Sequence, residues 1–488
     1  MENSVIIVGA GPTGLMLAGE LRLSGVPVTV LERLREPTGQ SRGLGFTARA
    51  MEVLDQRGLL SRFDSVATST SGHFGGIELD FGVLEDGHFG ARGIPQARTE
   101  AVLEEWATEL GAEVRRGCEL VDLTDDGSGV DVDFEGPQGA ERLRASYLVG
   151  CDGGRSTTRK KTGIDFPGSE PTLEMFLGDV RGMGLRSRFL GEKVTGGMVM
   201  AAPLEDDVDR IIVCERGTPP KQRTEPPDFS EVAAAWERLT GEDIHDATPL
   251  WVSAFSDAAR QAAEYRRGRV LLAGDAAHVH LPAGGQGLSV GVQDAVNLGW
   301  KLAAVLNGWA PNGLLDTYHE ERHAVGVRLL RNTRAQGLLY LTGEHMRPLR
   351  EIFAELLEHG EVARYLAGMV SGLDITYEVG PGDHPLLGKR LPPRKLLTGS
   401  GVTSTAELLR SGRGLLLHGG DAGIRESVSG WADRVDVVAA ESAEDADRDF
   451  FTKDTDAVLV RPDGHVVWAT PGGGELGAAL RRWFGSPA

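Results

Sequence analysis

The first thirty residues constrain the fold more than any other part of the chain. A β-branched run, Ser4–Val8, leads into the sequence GAGPTG and then into a helical pattern that continues to Leu23. Gly25 closes that helix, and Val28–Leu31 forms the next strand. This order predicts a βαβ unit with a parallel sheet, which is typical of α/β proteins.

Three glycines, Gly9, Gly11 and Gly14, form a G-x-G-x-x-G pattern at the junction of strand and helix. The first permits a tight turn, the second lets the backbone approach a pyrophosphate, and the third allows close helix–strand packing. Glu32 ends the second strand, where an acid accepts hydrogen bonds from ribose hydroxyls. Together these features favour a dinucleotide site over a structural turn, with NAD and FAD as alternatives.

Length and composition indicate a soluble protein of about three domains. The chain has 488 residues, of which 41% are hydrophobic and 25% charged. A net charge of −20 argues against a nucleic-acid partner, and the chain has no uninterrupted apolar run long enough to span a membrane. Cys118, Cys151 and Cys214 form no C-x-x-C pair, so we expect a cytoplasmic location without disulfides.

Later segments differ in pattern. Short β-rich runs from Gly178 to Phe255, with one helical insert around Phe229–Leu239, predict an antiparallel sheet in a second domain inserted into the first. Residues 288–369 are mainly helical, and Leu386–Leu397 has the proline and basic content of a linker. Beyond it, a small α/β pattern contains a PDG hairpin turn. Its predicted strands are Gly414–His418, Val435–Ala440, Ala457–Arg461 and His465–Ala469.

Two later strands also end in small residues and an aspartate. The sequence YLVGCDGGRSTTRK places Asp152 after a strand and Arg159 soon afterwards, which by itself favours an aspartate-capped helix. The sequence RVLLAGDAAHVHLPAGGQG places Asp275 at the end of a buried strand, before a glycine-rich loop. We expect Asp275 to be buried, which is tolerable only if its carboxylate receives hydrogen bonds.

These three blocks, in this order, resemble the flavoprotein aromatic hydroxylases of the p-hydroxybenzoate hydroxylase type. The resemblance is strongest to the angucycline and anthracycline tailoring hydroxylases, in GHFGG, CERGTPP, LPAGGQG and ELRLSGVPVTVLERLREPTGQSRGLGFTARAMEVLDQRGLL. It implies a Rossmann-like FAD-binding domain with an inserted antiparallel-sheet substrate domain and a thioredoxin-like C-terminal domain. The expected ranges are 1–168 and 266–392 for the FAD-binding domain, 72–95 for part of the pocket lining, 169–265 for the substrate domain and 393–488 for the last domain.

The resemblance also assigns residues to FAD by position. Glu32 and Arg33 would meet the ribose region, Arg42 and Gln96 the pyrophosphate, and Leu120 the adenine through its backbone. The block that contains Asp152 and Gly153 (the Asp-Gly block) would serve both FAD and the nicotinamide cofactor. The block that contains Gly274 and Asp275 would hold the ribityl chain. The full set expected at the cofactor is Gly9, Gly11, Thr13, Gly14, Glu32, Arg33, Arg42, Gln96, Leu120, Asp152, Asp275, Pro282, Gly287 and Leu288.

The helix after the glycine-rich loop is expected to begin near Leu288 and to direct its positive end at the flavin pyrimidine edge. Family members commonly have Met-Asn after Gly-Gln-Gly, where this chain has Leu288-Ser289. Serine is a good helix cap, so flavin binding is expected to survive this departure. Gly284 and Gly285 allow the loop backbone to lie directly against a flat ring.

The resemblance implies an FAD-dependent, NADPH-using monooxygenase that hydroxylates a polycyclic aromatic polyketide with O2 through a flavin C(4a)-hydroperoxide. NADPH would bind transiently near Asp152 and Arg159. No catalytic side chain is assigned, because a phenolic substrate is already activated. A Baeyer–Villiger oxygenase binds the same cofactor in the same kind of site and is the main alternative to a hydroxylase. An NAD dehydrogenase and a non-catalytic flavoprotein are further alternatives, and the W-x-W-x-I-P signature of flavin halogenases is absent.

Several other residues have two interpretations. His73 and Phe74 stand in the turn GHFGG and either line the substrate pocket or pack within the turn. His278 and His280 lack a third nearby ligand, so we expect a flavin loop there and no metal. The C-terminal part lacks cysteine and cannot carry out dithiol chemistry. Homo-oligomerisation is left open.

Overall fold

The structure, a computed structural model, describes residues 3–63, 66–84, 90–204, 207–420, 422–443 and 455–488. Its central sheet confirms the predicted βαβ opening and contains strands from both sides of the segment 169–265. All neighbouring strands pair in parallel except the antiparallel edge strand Arg266–Arg267. The strand order is Arg266–Arg267, Val270–Leu272, Tyr147–Gly150, Val5–Val8, Val28–Glu32 and Glu113–Arg116.

Helices cover this sheet, and smaller sheets extend it. Pro12–Leu23 is almost wholly buried because it packs between the sheet and other helices. The other helices around it are Ala48–Gln56, Gln96–Glu109, Thr157–Thr162, Gly287–Leu306, Asp316–Leu341, Arg347–Leu357 and Gly360–Ser371. The smaller strands are Leu44–Phe46, Ala67–Ser69, Gly90–Pro95, Ser71–Phe74, Ile77–Asp80, Glu119–Asp125, Val130–Gly136, Gly139–Ala145, Gly168–Ser169, Ala259–Gln261 and His278–Val279.

A separate five-stranded antiparallel sheet lies in the inserted segment, as predicted. Its strands, in order, are Glu192–Val194, Gly197–Pro203, Val208–Glu215, Glu174–Arg181 and Thr248–Ser256. Because side chains alternate along a strand, Val199 and Val213 pack on the helix Phe229–Thr240, whereas Met198 and Met200 face the other way. The sheet therefore has one structural face and one methionine-rich face.

The described residues of the C-terminal part form a six-stranded mixed sheet together with the helices Thr405–Leu408, Ala422–Ser427 and Leu476–Phe484. The strand order is Gly401–Ser404, Lys395–Thr398, Val435–Ser442, Gly414–His418, Ala457–Val460 and Val466–Thr470. The predicted linker is not an exposed connection. Leu391 and Leu396 are buried, and Arg390 lies 2.9 Å from Glu52, so this segment is part of the domain interface.

No helix in the described ranges combines the length and the apolar character that crossing a membrane requires.

Candidate cofactor and substrate site

The carboxyl ends of the parallel strands bring the sequence blocks together. Val8 lies opposite Leu31 and Gly150, and Gly150 lies opposite Leu272. Since these strands run in the same direction, the segments that follow them meet at one edge of the sheet, where open α/β sheets bind ligands. The glycine-rich turn, Glu32, Asp152 and Asp275 all follow these strand ends.

The three glycines of the turn have different surroundings. Gly9 has φ +105°, and a Cβ added there would lie 2.4 Å from the Cys151 carbonyl oxygen. A Cβ on Gly14 would lie 2.0 Å from the Gly9 carbonyl oxygen, whereas one on Gly11 would meet nothing within 4 Å. The helix that begins at Pro12 has no side-chain cap. Only Gly11 thus borders open space before a helix N-terminus, which fits a pyrophosphate.

Glu32 is fixed at the end of its strand by two backbone amides. Its Oε2 accepts a hydrogen bond from the Ala10 N–H at 2.8 Å, and its Oε1 accepts one from the Leu34 N–H at 2.9 Å. A carboxylate has about four lone-pair sites, so acceptor capacity remains for ribose hydroxyls. Arg33, its neighbour in sequence, is exposed.

Four other predicted residues surround this region. Gln96 accepts a hydrogen bond from the Gly43 N–H at 3.2 Å, and the Leu288 side chain also approaches Gly43. Arg42, next to Gly43, is exposed, as an arginine that binds phosphate should be. Leu120 is buried, and its side chain packs in the cluster beneath the sheet, so the expected adenine contact through its backbone stays a prediction.

The Asp-Gly block forms local structure. The Asp152 carboxylate accepts hydrogen bonds from the Ser156 hydroxyl at 2.5 Å and the Thr158 N–H at 2.9 Å. The N-cap of the helix Thr157–Thr162 is Ser156 and not Asp152, so the aspartate supports the helix start without being its cap. Arg159 is buried and donates to the Ala276 carbonyl at 2.7 Å. The Arg159 guanidinium thus joins this block to the segment containing Asp275. The expected transient binding of NADPH near Asp152 and Arg159 stays a prediction.

Asp275 is exposed, so the expectation that its carboxylate is buried is wrong. It lies in a single 3-10 turn whose other residues, Gly274 and Ala276, are buried. Gly274 has φ +60°, and Thr13 fills the space beside it, since a Cβ there would lie 2.6 Å from Thr13 Oγ1. The loop is thus held from behind while the carboxylate faces outward, which is the arrangement that binding a polyhydroxylated chain requires.

Asp294 anchors this loop from the buried side. One of its oxygens accepts from the Gly274 N–H at 3.1 Å and contacts His278 Nε2 at 2.7 Å, and the other accepts from Arg322 Nε at 2.7 Å. Burial favours a raised carboxyl pKa, but the charges of Arg322 and His278 bring the pKa of Asp294 below its ordinary value. Sequence reasoning gave Asp294 no role, although an acid within a largely apolar helix signals a buried partner.

The glycine-rich loop leads into the helix Gly287–Leu306, one residue earlier than expected. Ser289 is not its cap: it is fully buried inside the helix, and its hydroxyl accepts from the Thr47 N–H at 3.0 Å. The helix start has no side-chain cap and no acid in its first turn. Its positive end therefore remains available to an electron-rich ring edge. Pro282 is exposed, and Gly287 and Leu288 are half-buried.

The methionine-rich face of the five-stranded sheet lies against this loop. Met198 packs in one cluster with Leu281 and Ala283, and Met200 and Ile212 border that cluster while remaining half-buried. Methionine side chains are flexible and polarisable, so such a face adapts to bulky aromatic molecules. The expected lining range 72–95 includes residues 85–89, which lie outside the described residues.

The hairpin that holds His73 and Phe74 is closely packed. Phe74 is buried and stacks on Phe353, with ring centroids 5.4 Å apart. His73 stacks on Tyr340 at 5.9 Å, and its Nδ1 accepts from the Gly76 N–H at 3.3 Å. Phe74 therefore faces other side chains of the protein, whereas Tyr340, which His73 contacts, borders the methionine-rich face.

Both loop histidines have protein partners. His278 pairs with Asp294, and His280 donates from Nδ1 to the Leu281 carbonyl at 2.7 Å. Burial lowers the pKa of His280. Among the residues that the structure describes, no three His, Cys, Asp or Glu side chains gather as a metal site.

Comparison with known proteins agrees with this geometry. Residues 2–333 match the family "FAD binding domain", and residues 384–487 match "Aromatic-ring hydroxylase, C-terminal". The chain is 46% identical, over 100% of both chains, to a 12-dehydrotetracycline 5-monooxygenase/anhydrotetracycline 6-monooxygenase of Streptomyces rimosus. It is 61% identical, with a TM-score of 0.97 and 100% coverage of both chains, to CabE, an aromatic hydroxylase from angucycline biosynthesis.

A second similar structure contains FAD. Aklavinone-11 hydroxylase, in a ternary complex with FAD and aklavinone, is 27% identical with a TM-score of 0.76, over 99% of each chain. The family match covers more than half of the chain, and the residues at the strand ends fit FAD. The chain therefore belongs to the FAD-binding aromatic-ring hydroxylases and is a flavoprotein aromatic monooxygenase.

Proposed function

We propose that the protein uses NADPH and O2 to hydroxylate a polycyclic aromatic polyketide, by the flavin hydroperoxide route that the family resemblance implies. The methionine-rich face beside Leu281 and Ala283 carries this proposal, because it presents an adaptable apolar wall at the end of the cofactor cradle. The names of the tetracycline and angucycline relatives support the substrate class.

The protein's own residues would contribute binding, orientation and exclusion of water. Gly11 and the helix start at Pro12 would hold the pyrophosphate, Glu32 the ribose, and Asp275 the ribityl hydroxyls. Reduced FAD supplies the oxygen-activating chemistry when it is bound. The N-terminus of Gly287–Leu306 would stabilise negative charge at the pyrimidine edge through its unpaired amides.

The test is turnover of the holoenzyme with aklavinone and anhydrotetracycline under ¹⁸O₂. Hydroxylation predicts one labelled oxygen on an intact carbon skeleton, with NADPH oxidised in parallel. A labelled oxygen inserted between two ring carbons would identify the Baeyer–Villiger alternative, and product without label would contradict both. Anaerobic stopped-flow measurement should also show that substrate accelerates flavin reduction by NADPH.

Two matched variants test the substrate wall. Met200→Ala should raise KM for the aromatic substrate while FAD content stays at the wild-type level, since Met200 faces the loop. Val199→Ala changes the opposite face of the same strand and should lower the unfolding midpoint without raising KM. A rise in KM for Val199→Ala alone would place the substrate elsewhere.

The domain assignment forms part of the same proposal. We infer an FAD-binding domain over 1–168 and 266–392, a substrate domain over 169–265 and a thioredoxin-like domain over 393–488 in a cytoplasmic enzyme. A parallel strand pair, Gly414–His418 with Val435–Ser442, followed by the hairpin Ala457–Val460 and Val466–Thr470, supports the last assignment. Expression of the four segments and sizing of the full chain would test the boundaries and the oligomeric state.

A further inference from the structure

A cavity of about 400 Å³ borders the first turns of the helix Gly287–Leu306 and also contacts Gln286 of the glycine-rich loop. Gly291 of this helix packs against Thr13 of the glycine-rich turn, whereas Val290 and Gln293 line the cavity. Residues three positions apart share one face of a helix, so Val290 and Gln293 present the same face to the cavity. The volume falls in the range of about 300–1,000 Å³ that is typical of small-molecule sites.

Gln293 gives the cavity a polar group. The residue is only 7% exposed, and its amide forms no hydrogen bond with any residue in the described ranges. Its amide atoms are nevertheless not among the fully enclosed ones without a partner, so they remain accessible from the cavity. Gln293 would offer both a donor and an acceptor to a molecule in the cavity.

Tyr377 adds a second polar group to the lining. Its hydroxyl accepts a hydrogen bond from Arg322 at 2.9 Å, and no acceptor for its own proton occurs in the described part of the chain. Burial raises the pKa of this phenol, so the proton is retained and can be donated. The lining therefore includes an amide, and a phenolic proton, for which the described residues offer no hydrogen-bond partner.

The walls and the mouth define the kind of molecule that fits. Apolar side chains form the walls, including Val290, Leu329 and Val370. The charged lining residues Arg328 and Asp374 neutralise each other as an ion pair. At the mouth, Glu320 and Glu378 outnumber Arg482. The lining thus favours a neutral ligand with an apolar body and disfavours an anion.

We propose that this cavity is a second binding site for a neutral oxygenated aromatic molecule, one that adjoins the cofactor loop but shares no lining residue with the set expected at FAD or with the methionine-rich sheet face. A ketone beside a ring hydroxyl provides the acceptor and donor that Gln293 and Tyr377 complement. The site touches the cofactor region through the first turns of Gly287–Leu306. It does not depend on the proposed reaction, because binding there requires neither NADPH nor turnover.

The test compares two tryptophan variants of one helix by equilibrium dialysis of the holoenzyme against 1,8-dihydroxyanthraquinone. Ala324 lines the cavity and is exposed at its mouth, whereas the exposed Ala335 on the same helix does not line it. Ala324→Trp should bind one molecule fewer per chain than Ala335→Trp and the wild type. Equal stoichiometry in the two variants, both folded and flavinated, would overturn the proposal.

Two further measurements address the ligand class and Gln293. NADP⁺, an anionic probe with an aromatic amide, should show no difference between Ala324→Trp and Ala335→Trp, and a difference would overturn the assignment to a neutral ligand. Gln293→Leu should lose the same bound molecule yet keep or raise the unfolding midpoint, since its amide has no partner to lose. A lowered midpoint would make Gln293 a structural residue and contradict the site.

Discussion

At the scale of single residues, similar side chains in this protein have different tasks because their surroundings differ. The glycines of the first turn show this clearly. A Cβ added at Gly9 or Gly14 would lie 2.4 or 2.0 Å from a backbone oxygen, whereas no atom of the described residues beyond its chain neighbours lies within 4 Å of a Cβ added at Gly11. Gly11 is also in an extended conformation, with φ −76°, that alanine adopts without strain.

We therefore predict that Gly11→Ala and Gly14→Ala will separate cofactor binding from folding. Gly11→Ala should weaken FAD binding while the unfolding midpoint of the apoprotein stays unchanged, because its methyl group meets only the cofactor. Gly14→Ala should lower that midpoint, because its methyl group collides with the Gly9 carbonyl. FAD titration and thermal unfolding of the apoproteins measure both effects. Unchanged FAD affinity in Gly11→Ala would contradict the assignment of this turn to the FAD pyrophosphate.

A second prediction concerns the exposed carboxylate of Asp275. Asp275→Asn should weaken FAD binding by about 1.5–3 kcal/mol, the range for a charged hydrogen bond, without lowering apoprotein stability. Asp246→Asn removes another exposed carboxylate at a distance from the cradle and is the matched control. If both variants retain flavin equally during dialysis, Asp275 does not contact the ribityl chain.

At the scale of elements, the helix Gly287–Leu306 links the loop to a buried charge network. Its Asp294 holds the Gly274 amide, His278 and Arg322 at once. Arg322 in turn donates to Tyr377, whose ring contacts that of His465 in the C-terminal part in a tilted arrangement, with centroids 4.5 Å apart. The position of the cofactor loop is thus determined by side chains distant from it in sequence.

We predict that Asp294→Asn will destabilise the protein by about 3–5 kcal/mol, because it leaves the buried Arg322 without its ionic partner. Asp316→Asn removes an exposed ion pair with Arg266 and should cost about 0–1 kcal/mol. Urea unfolding of the two apoproteins gives the comparison. Similar losses in both variants would show that the buried pair contributes no more than an exposed one.

At the scale of the whole molecule, the C-terminal domain docks through buried charges. Arg461 is fully buried and binds Glu321 of the FAD-binding part at 2.6 Å and Asp463 of its own hairpin. Arg57 donates to the Pro462 carbonyl at 2.8 Å, and Arg49 donates to the Asp463 carbonyl at 2.7 Å. Because each charge needs its partner across the interface, the two parts are expected to unfold together.

The same interface predicts a loss of stability in acid. Burial lowers the pKa of His465 to about 4, from 6.5 for the ordinary group, against the opposing pull of Asp463. Between these two pH values His465 is protonated in the unfolded chain but stays neutral in the folded protein. The unfolding free energy should therefore be full above pH 6.5 and fall by roughly 3 kcal/mol as the pH drops to 4.

Urea unfolding across this pH range provides the measurement, with two histidine variants for comparison. His465→Asn should reduce the slope of stability against pH, whereas His345→Asn, at an exposed position, should leave it as in the wild type. An unchanged slope in His465→Asn would assign the acid sensitivity to other groups.

The sequence by itself determined the βαβ opening, the inserted antiparallel sheet and the chemistry of the three strand-end blocks. These features depend on local periodicity and on glycine and aspartate at fixed positions beside strands, so neighbouring residues carry the information. The G-x-G-x-x-G turn and Glu32 could be placed for the same reason: strand, turn and helix are contiguous in the chain.

Only the tertiary structure decided which charged residues are buried and what they contact. Asp275 was expected to be buried and is exposed, while the Arg159 side chain is buried and donates to the Ala276 carbonyl. Ser289 caps no helix and instead receives the Thr47 amide. Burial depends on what packs against a segment from distant parts of the chain, and no local pattern records that packing.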